Sequence, residues 1–452
     1  MTCTVGVDLG TTTVKVCVVK ESRILKENQV RHGANIEGRL GVQNAKKIIE
    51  AAVELLEETV QSVTKDSSET ISRIGIAGQQ HGLVMWNSCA LKRGELDCSE
   101  LYNWMYPGDT NAAAKLPKST SNTVFPGYGV RTLCELASYP DFDEEHHWDR
   151  CGNIMDYFAC HLTGSVEVLM SESNAYCWGY STGLEWNEEI LPFTPKWIEL
   201  PRIVRTDVGT FTRLGDCRLE SLKGIPVGVA IADLHGCIMS VGGHRHGADH
   251  AYLVIGTSSQ LCFVVSKSAK LPAMPITTHI FPFTDDLTLL AAASMNGGNA
   301  IDAFVERVRY WSDEATQERS PSADMTVLLS EVDRVSTEME QNSPDDYPKV
   351  NSVFTAERGS YYSGVEIRGL KADTSLSQML IGVCEGVIRN LFSLVPPELL
   401  SSYGVKKLFL VGSAKHDRFL VHIRRYLQEH EATHIELLPA ETDTSAAYGA
   451  AL

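Results

Sequence analysis

The sequence predicts an α/β protein built as two similar domains, residues 1–247 and 248–452, that close on a cleft. Three observations carry that expectation. At 452 residues the chain exceeds a single core, since one domain usually holds about 100 to 200 residues. Two apolar runs broken by loops of glycine and hydroxyl residues, Val5 to Lys15 and Tyr252 to Val265, lie half a chain apart, as in an internal repeat. Strand-length apolar runs and stretches of helical periodicity recur in both halves.

Composition bounds the rest. A hydrophobic content of 43% with 21% charged residues suits a globular enzyme, and no apolar run is long enough to span a bilayer, so no membrane partner is expected. A formal charge of −17 disfavours nucleic acid, whose phosphates it would repel. The amino terminus lacks the basic flank and apolar core of a secretory signal. The 12 cysteines form no Cys-x-x-Cys pair and read as reduced core residues, so a cytoplasmic location is expected. His244, His246 and His250 have no cysteine beside them and read as surface histidines.

In chain order, Val5 and Val7 lead into Asp8-Leu9-Gly10-Thr11-Thr12-Thr13-Val14-Lys15, a strand, a tight loop and a second strand. Gly10 can take a positive φ there and turn backbone N–H groups toward an anion, and three threonines add hydroxyl donors. Asp8 beside them suits a magnesium ion carried by phosphate. An ordinary hairpin with a Gly-Thr turn fits the same letters. Residues 44–60 place Ile48, Ile49, Ala52, Val53, Leu56 and Val60 at helical spacing. Ile71 to Ala77 is a buried strand delivering Gly78-Gln79-Gln80-His81-Gly82 at its carboxyl end, where open sheets gather ligands. Gln80 and His81 offer neutral donors and acceptors for hydroxyls, and a structural turn is the competing reading. The segment 87–109, with Trp104, reads as an irregular loop near the cleft. Tyr128, Trp178 and Tyr180 suit either a sugar face or the core. Pro226 to Ala232 is a strand ending at Asp233, which is either a firmly held base or a helix cap.

In the second half, Gly256-Thr257-Ser258 repeats the first loop, and Asn296-Gly297-Gly298 opens a helix whose glycines could admit phosphate. Residues 319–349 read as a polar, peripheral insert. Leu376 to Leu391 is a core helix, and Lys407 to Val411 is a strand delivering Gly412-Ser413-Ala414, small residues that leave room for a flat base.

The two loops with Gly412-Ser413-Ala414 resemble the ribonuclease-H-like, actin-like ATPases. Adding Gly78 to Gly82, Met170 to Ala175, Trp178-Gly179-Tyr180, Ala293 to Asn299 and Glu357-Arg358, the whole chain resembles the FGGY carbohydrate kinases. The resemblance implies two ribonuclease-H-like domains with a catalytic cleft between them, ATP and Mg2+ as cofactors, and a small-molecule ketose or polyol as acceptor. Sedoheptulose is expected ahead of xylulose, ribulose or glycerol, with a non-catalytic ATP-binding module as the alternative. By matching positions, Asp233 would be the base, Asp8 would serve the metal, and Gln80, His81 and Trp104 would touch sugar. Gly10, Thr11, Thr12, Thr13, Lys15, Gly256, Thr257, Ser258, Gly297, Gly298, Gly412, Ser413 and Ala414 would hold ATP. One departure stands out: the family's Trp-x-Asp-x-Arg segment is replaced by Trp104-Met105-Tyr106-Pro107-Gly108-Asp109.

Overall fold

The computed structural model describes residues 2–65, 69–143, 147–206, 210–242, 247–271, 274, 277–284, 286–342, 347–360, 364–440 and 445–452. They fall into two compact units, one formed by Met1–Arg245 with Pro282–Asp285 and Thr444–Leu452, the other by His246–Phe281 with Asp286–Asp443.

In the first unit the strands are β1 (Thr2–Leu9), β2 (Thr13–Lys20), β3 (Arg23–Arg31), β4 (Thr70–Gly78), β5 (Arg213–Asp216), β6 (Pro226–Gly228) and β7 (Ile231–Ala232). They form one sheet in the order β5-β6-β4-β1-β2-β3, with β7 also paired to β4. The β1-β2-β3 meander is antiparallel, and β4 runs parallel to β1. Valines at alternate positions of β1 and β2 are fully buried, which fixes the register. Helix α1 (Ala45–Thr64) covers one face, capped by Asn44 and burying Ile48, Ile49, Ala52, Leu56 and Val60 as its periodicity predicts, with Leu55 buried as well and Val53 only half-buried.

The last helix, Ala446–Ala451, belongs to this unit, although the sequence places it in the second domain. Its small residues allow a backbone-to-backbone approach. A Cβ on Gly6 would lie 1.8 Å from the Ala447 carbonyl oxygen, one on Gly75 1.8 Å from that of Ala450, and one on Gly449 1.8 Å from that of Gly236. Only glycine fits at such contacts. The segment 87–109 also differs from expectation: it holds a helix, Ser88–Arg93, and a short strand, Leu101–Tyr102, with Leu91 and Leu101 buried in the core.

The second unit repeats the arrangement with β8 (His250–Ile255), β9 (Ser259–Ser266), β10 (Thr278–Pro282), β11 (Leu287–Ser294), β12 (Lys407–Gly412) and β13 (Glu436–Pro439) in the order β10-β11-β9-β8-β12-β13. Here too an antiparallel hairpin, β8-β9, has a third antiparallel strand on one side and parallel strands on the other. The core helix Leu376–Leu394 buries twelve residues and starts at a Ser375–Gln378 capping box. The segment expected to be peripheral contains an 18-residue helix, Met325–Asn342. Val332 at its centre is fully buried in the core, and Asp333 pairs with Arg418. Its polarity reflects a wide solvent face, not a loose connection. No described helix is long and apolar enough to cross a membrane. All twelve cysteines are thiols rather than disulfides, and only Cys89 is exposed. His250 is half-buried at the start of β8, whereas His244 and His246 lie outside the described residues.

Candidate active site

In the first unit the chemistry collects at the carboxyl ends of three neighbouring strands. Asp8 on β1 pairs in register with Ala77 on β4, and Ala232 on β7 pairs with Gly78, so Asp233 leaves the sheet one step beyond. The two carboxylates thus flank β4, two strand spacings or about 10 Å apart along the sheet. Both are half-buried. Burial pushes the Asp8 carboxyl up to about 6, and burial with the Asp8 charge beside it pushes Asp233 up to about 7. The Asp8 Oδ1 atom has no hydrogen-bond partner among the described residues.

Asp233 is the first residue of the helix Asp233–Gly242, and its Oδ1 accepts only from the N–H of Leu234, at 2.8 Å, among the described residues. A capping side chain accepts instead from an N–H two or three residues after its own. The helix itself is fixed by Gly236, whose Cβ position is 2.7 Å from the Ala446 carbonyl.

The first loop differs from expectation in one respect. Gly10 does not have a positive φ, and its N–H donates to the Thr13 carbonyl at 3.0 Å. The Thr11 and Thr12 N–H groups are the ones left without a partner among the described residues, and Thr12 is exposed. Thr13 and Lys15 start β2, where Lys15 pairs with Asp8.

Gln80 is half-buried, and its Nε2 has no partner among the described residues. His81 has φ +75, stacks on Tyr128 at 4.2 Å, and donates from Nδ1 to the Cys177 carbonyl at 2.6 Å. Trp178 Nε1 donates to the Gly82 carbonyl at 2.7 Å. Helix Glu172–Trp178 therefore clamps this loop, and the buried Tyr128, Trp178 and Tyr180 belong to the core. Trp104 donates its indole N–H to the Thr11 hydroxyl at 3.0 Å. Asp109, the first acid after it in sequence, is engaged elsewhere: it caps the short helix Thr110–Ala113 and accepts from the Tyr139 hydroxyl.

In the second unit the three predicted segments meet. The Gly256 N–H donates to the Ser258 carbonyl, and the Thr257 and Ser258 N–H groups have no partner among the described residues, which repeats the first loop. Gly298 donates to the Gly256 carbonyl at 2.8 Å and Asn299 to that of Thr257 at 3.1 Å. The Gly297 N–H is taken by Asn299 Oδ1. These amides are therefore unavailable to phosphate, contrary to the expectation for Gly297 and Gly298. Their glycines serve close approach: a Cβ on Gly297 would lie 2.5 Å from the Ser258 backbone. Gly412 pairs with Ile255 and has φ +64, Ser413 is half-buried, and the Ala414 side chain faces the core, so that only its backbone can reach a ligand.

Glu357 is a structural anchor whose partners the sequence hides. It accepts from Ser294 Oγ at 2.6 Å, the Met295 N–H at 2.9 Å, Asn296 Nδ2 at 2.8 Å and Asn390 Nδ2 at 2.7 Å. Four donors on one carboxylate fix the turn that carries Gly297.

The model of the FGGY family of carbohydrate kinases, N-terminal domain, matches residues 3–233, just over half of the chain. The chain belongs to the FGGY family of carbohydrate kinases. It is thus an ATP-dependent sugar kinase by family. The sedoheptulokinases of Homo sapiens and Mus musculus are 26% and 27% identical to this kinase, each across 91% of it and 89% of the relative. Solved structures share its fold: Plasmodium falciparum glycerol kinase with ADP has a TM-score of 0.74 at 17% identity, covering 100% of this chain and 88% of that one. Ligand-bound xylulose kinase from Lactobacillus acidophilus has a TM-score of 0.71 at 16% identity with the same coverages. Both neighbours have the two-domain, actin-like ATPase fold.

Proposed function

We propose that this kinase phosphorylates the terminal primary hydroxyl of a ketose, converting sedoheptulose to sedoheptulose 7-phosphate with ATP. The observation that carries the chemistry is the carboxylate pair Asp8 and Asp233 at strand ends on either side of β4, with Asp233 poised near neutral pH. A base is most useful with its proton affinity near the working pH. Asp233 orients the hydroxyl and accepts its proton as the oxygen forms a bond to the γ-phosphorus and the bond to the leaving ADP breaks in line. Gln80 and His81 hold the sugar's other hydroxyls, His81 with its ring fixed by Tyr128 and Cys177.

The Oδ1 of Asp8, without a partner among the described residues, fits a hard cation, since magnesium typically takes one or two carboxylates and completes its shell with phosphate and water. When bound there, magnesium supplies charge neutralisation for the phosphates. The Thr11, Thr12, Thr257 and Ser258 N–H groups are the donors we assign to ATP phosphates, with Gly412 and Ser413 beside the base. The choice of sugar leans on the likeness to the sedoheptulokinases, and the cytoplasmic location on twelve cysteines held as thiols.

The test is sugar-dependent ADP release with sedoheptulose, xylulose, ribulose and glycerol at matched concentrations. Sedoheptulose should give the highest kcat/KM. A higher value for a pentulose or glycerol would replace the substrate and keep the kinase. ADP release that ignores every sugar would sink both.

A further inference from the structure

We propose that Gln43 and Trp104 are positioning residues that lock the Thr11 turn so that its outer amides face the ATP phosphates. The inference rests on the phosphoryl-transfer reading above and concerns residues that need not touch either substrate's reacting atoms. Gln43 is fully buried, and each of its polar atoms is engaged. Nε2 donates to the Thr11 carbonyl at 2.8 Å and to Asn35 Oδ1 at 2.6 Å, while Oε1 accepts from Gln79 Nε2 at 3.2 Å.

The consequence follows from peptide geometry. The Thr11 carbonyl and the Thr12 N–H belong to one planar trans peptide, so they point in opposite directions. Holding the carbonyl inward on Gln43 turns the Thr12 N–H outward, and Thr12 is exposed there. A flipped peptide would present a carbonyl oxygen to phosphate and repel it. Trp104 pins the same residue a second time through the Thr11 hydroxyl.

Both pins are set by one small ladder. Strand Val42–Gln43 pairs with Leu101–Tyr102, two residues before Trp104, and Tyr102 exchanges backbone hydrogen bonds with Leu83 beside the Gln80–His81 loop. Gln79, which precedes Gln80, completes the link. The phosphate turn is therefore held by the segments that flank the sugar residues.

The experiment compares Gln43→Met, which keeps length and loses the donor, with Trp104→Phe, which keeps an aromatic face and loses the N–H. Calorimetric titration of Mg-ATP and, separately, of sedoheptulose gives two dissociation constants for each variant. Losing the hydrogen bond to Thr11 should weaken ATP roughly three- to tenfold in either variant, with the sugar affinity of Gln43→Met within about twofold of the parent. ATP affinity equal to the parent's, or an equal loss for both ligands, overturns the inference. If Gln43→Met does not fold, Trp104→Phe decides alone. Binding judges the positioning role, and sugar-dependent turnover of the parent separately judges the reading beneath it.

Discussion

Asp233→Asn should abolish turnover and, at alkaline pH, make the metal-free protein more stable than its parent. Folding raises the Asp233 carboxyl from 3.8 to about 7, with burial the larger cause and the Asp8 charge the second. A raised pKa means that the folded state holds the proton more tightly than the unfolded chain. The stability this supplies is complete below about pH 4 and is lost as pH rises through about 7. Three pKa units at 1.36 kcal/mol each put the cost of the ionised carboxylate at about 4 kcal/mol at most above pH 7. Part of that cost belongs to the coupled pair, and half-burial lets water relieve some, so roughly 2 kcal/mol is a fair working value. At roughly 2 to 4 °C per kcal/mol, the variant should melt about 4 to 8 °C higher at pH 8, and the gain should shrink at pH 5. Melting curves in chelator at the two pH values measure it, and kcat with saturating sugar and Mg-ATP should fall by roughly 10²- to 10⁴-fold. A helix cap predicts the opposite pattern, because asparagine replaces aspartate there at little cost and turnover would survive. A variant keeping more than about a tenth of parental kcat, or melting no higher than the parent at pH 8, would refute the assignment.

Asp8→Asn should raise the magnesium concentration needed for half-maximal activity and recover part of its loss when magnesium is raised, which a titration of rate against metal will show. For the parent, kcat/KM should climb with pH through about 7 as Asp233 loses its proton, and Asp8→Asn should move that rise to lower pH because a neighbouring negative charge is gone. Gly297→Ala places a Cβ 2.5 Å from the Ser258 backbone, so the second loop must shift; ATP should bind roughly fivefold or more weakly while sugar binding holds. Gly6→Ala meets the Ala447 carbonyl at 1.8 Å, a backbone contact that cannot yield, and should leave the protein insoluble or sharply less heat-stable by circular dichroism.

Much of the fold was legible because its strands are continuous apolar runs bounded by glycine. β1, β2, β8 and β12 are buried on both faces and need no partner's help to be recognised. The residues at their carboxyl ends, Asp8, Gln80, Asp233 and Gly412, follow from that placement. What stayed hidden depends on long-range contact. Gln43 lies in a two-residue strand with no local pattern, yet it joins Thr11 to Gln79. Glu357 sits in irregular chain, and its four donors come from positions 33 to 63 residues away. The terminal helix joins the first unit because Gly6, Gly75 and Gly236 leave it room, which no window around residue 446 can show.

Glycines were the least readable letters for a related reason, since the same residue answers two demands. Gly412 combines both, a left-handed backbone and a Cβ position 2.5 Å from the Ile255 carbonyl, whereas Gly10 and Gly297 do not take the left-handed form. At Gly10 the amide simply closes the turn on Thr13, and at Gly297 the missing side chain admits Ser258. A Gly-hydroxyl loop therefore announces where a phosphate could approach without saying which amides meet it. The amides the turns leave over among the described residues are those of Thr11, Thr12, Thr257 and Ser258, and they emerge only from following every hydrogen bond. Asp233 shows the same limit at one residue. Cap and base share the order of strand, aspartate, helix, and they part only where the carboxylate bonds its immediate neighbour Leu234 instead of an N–H two or three residues on.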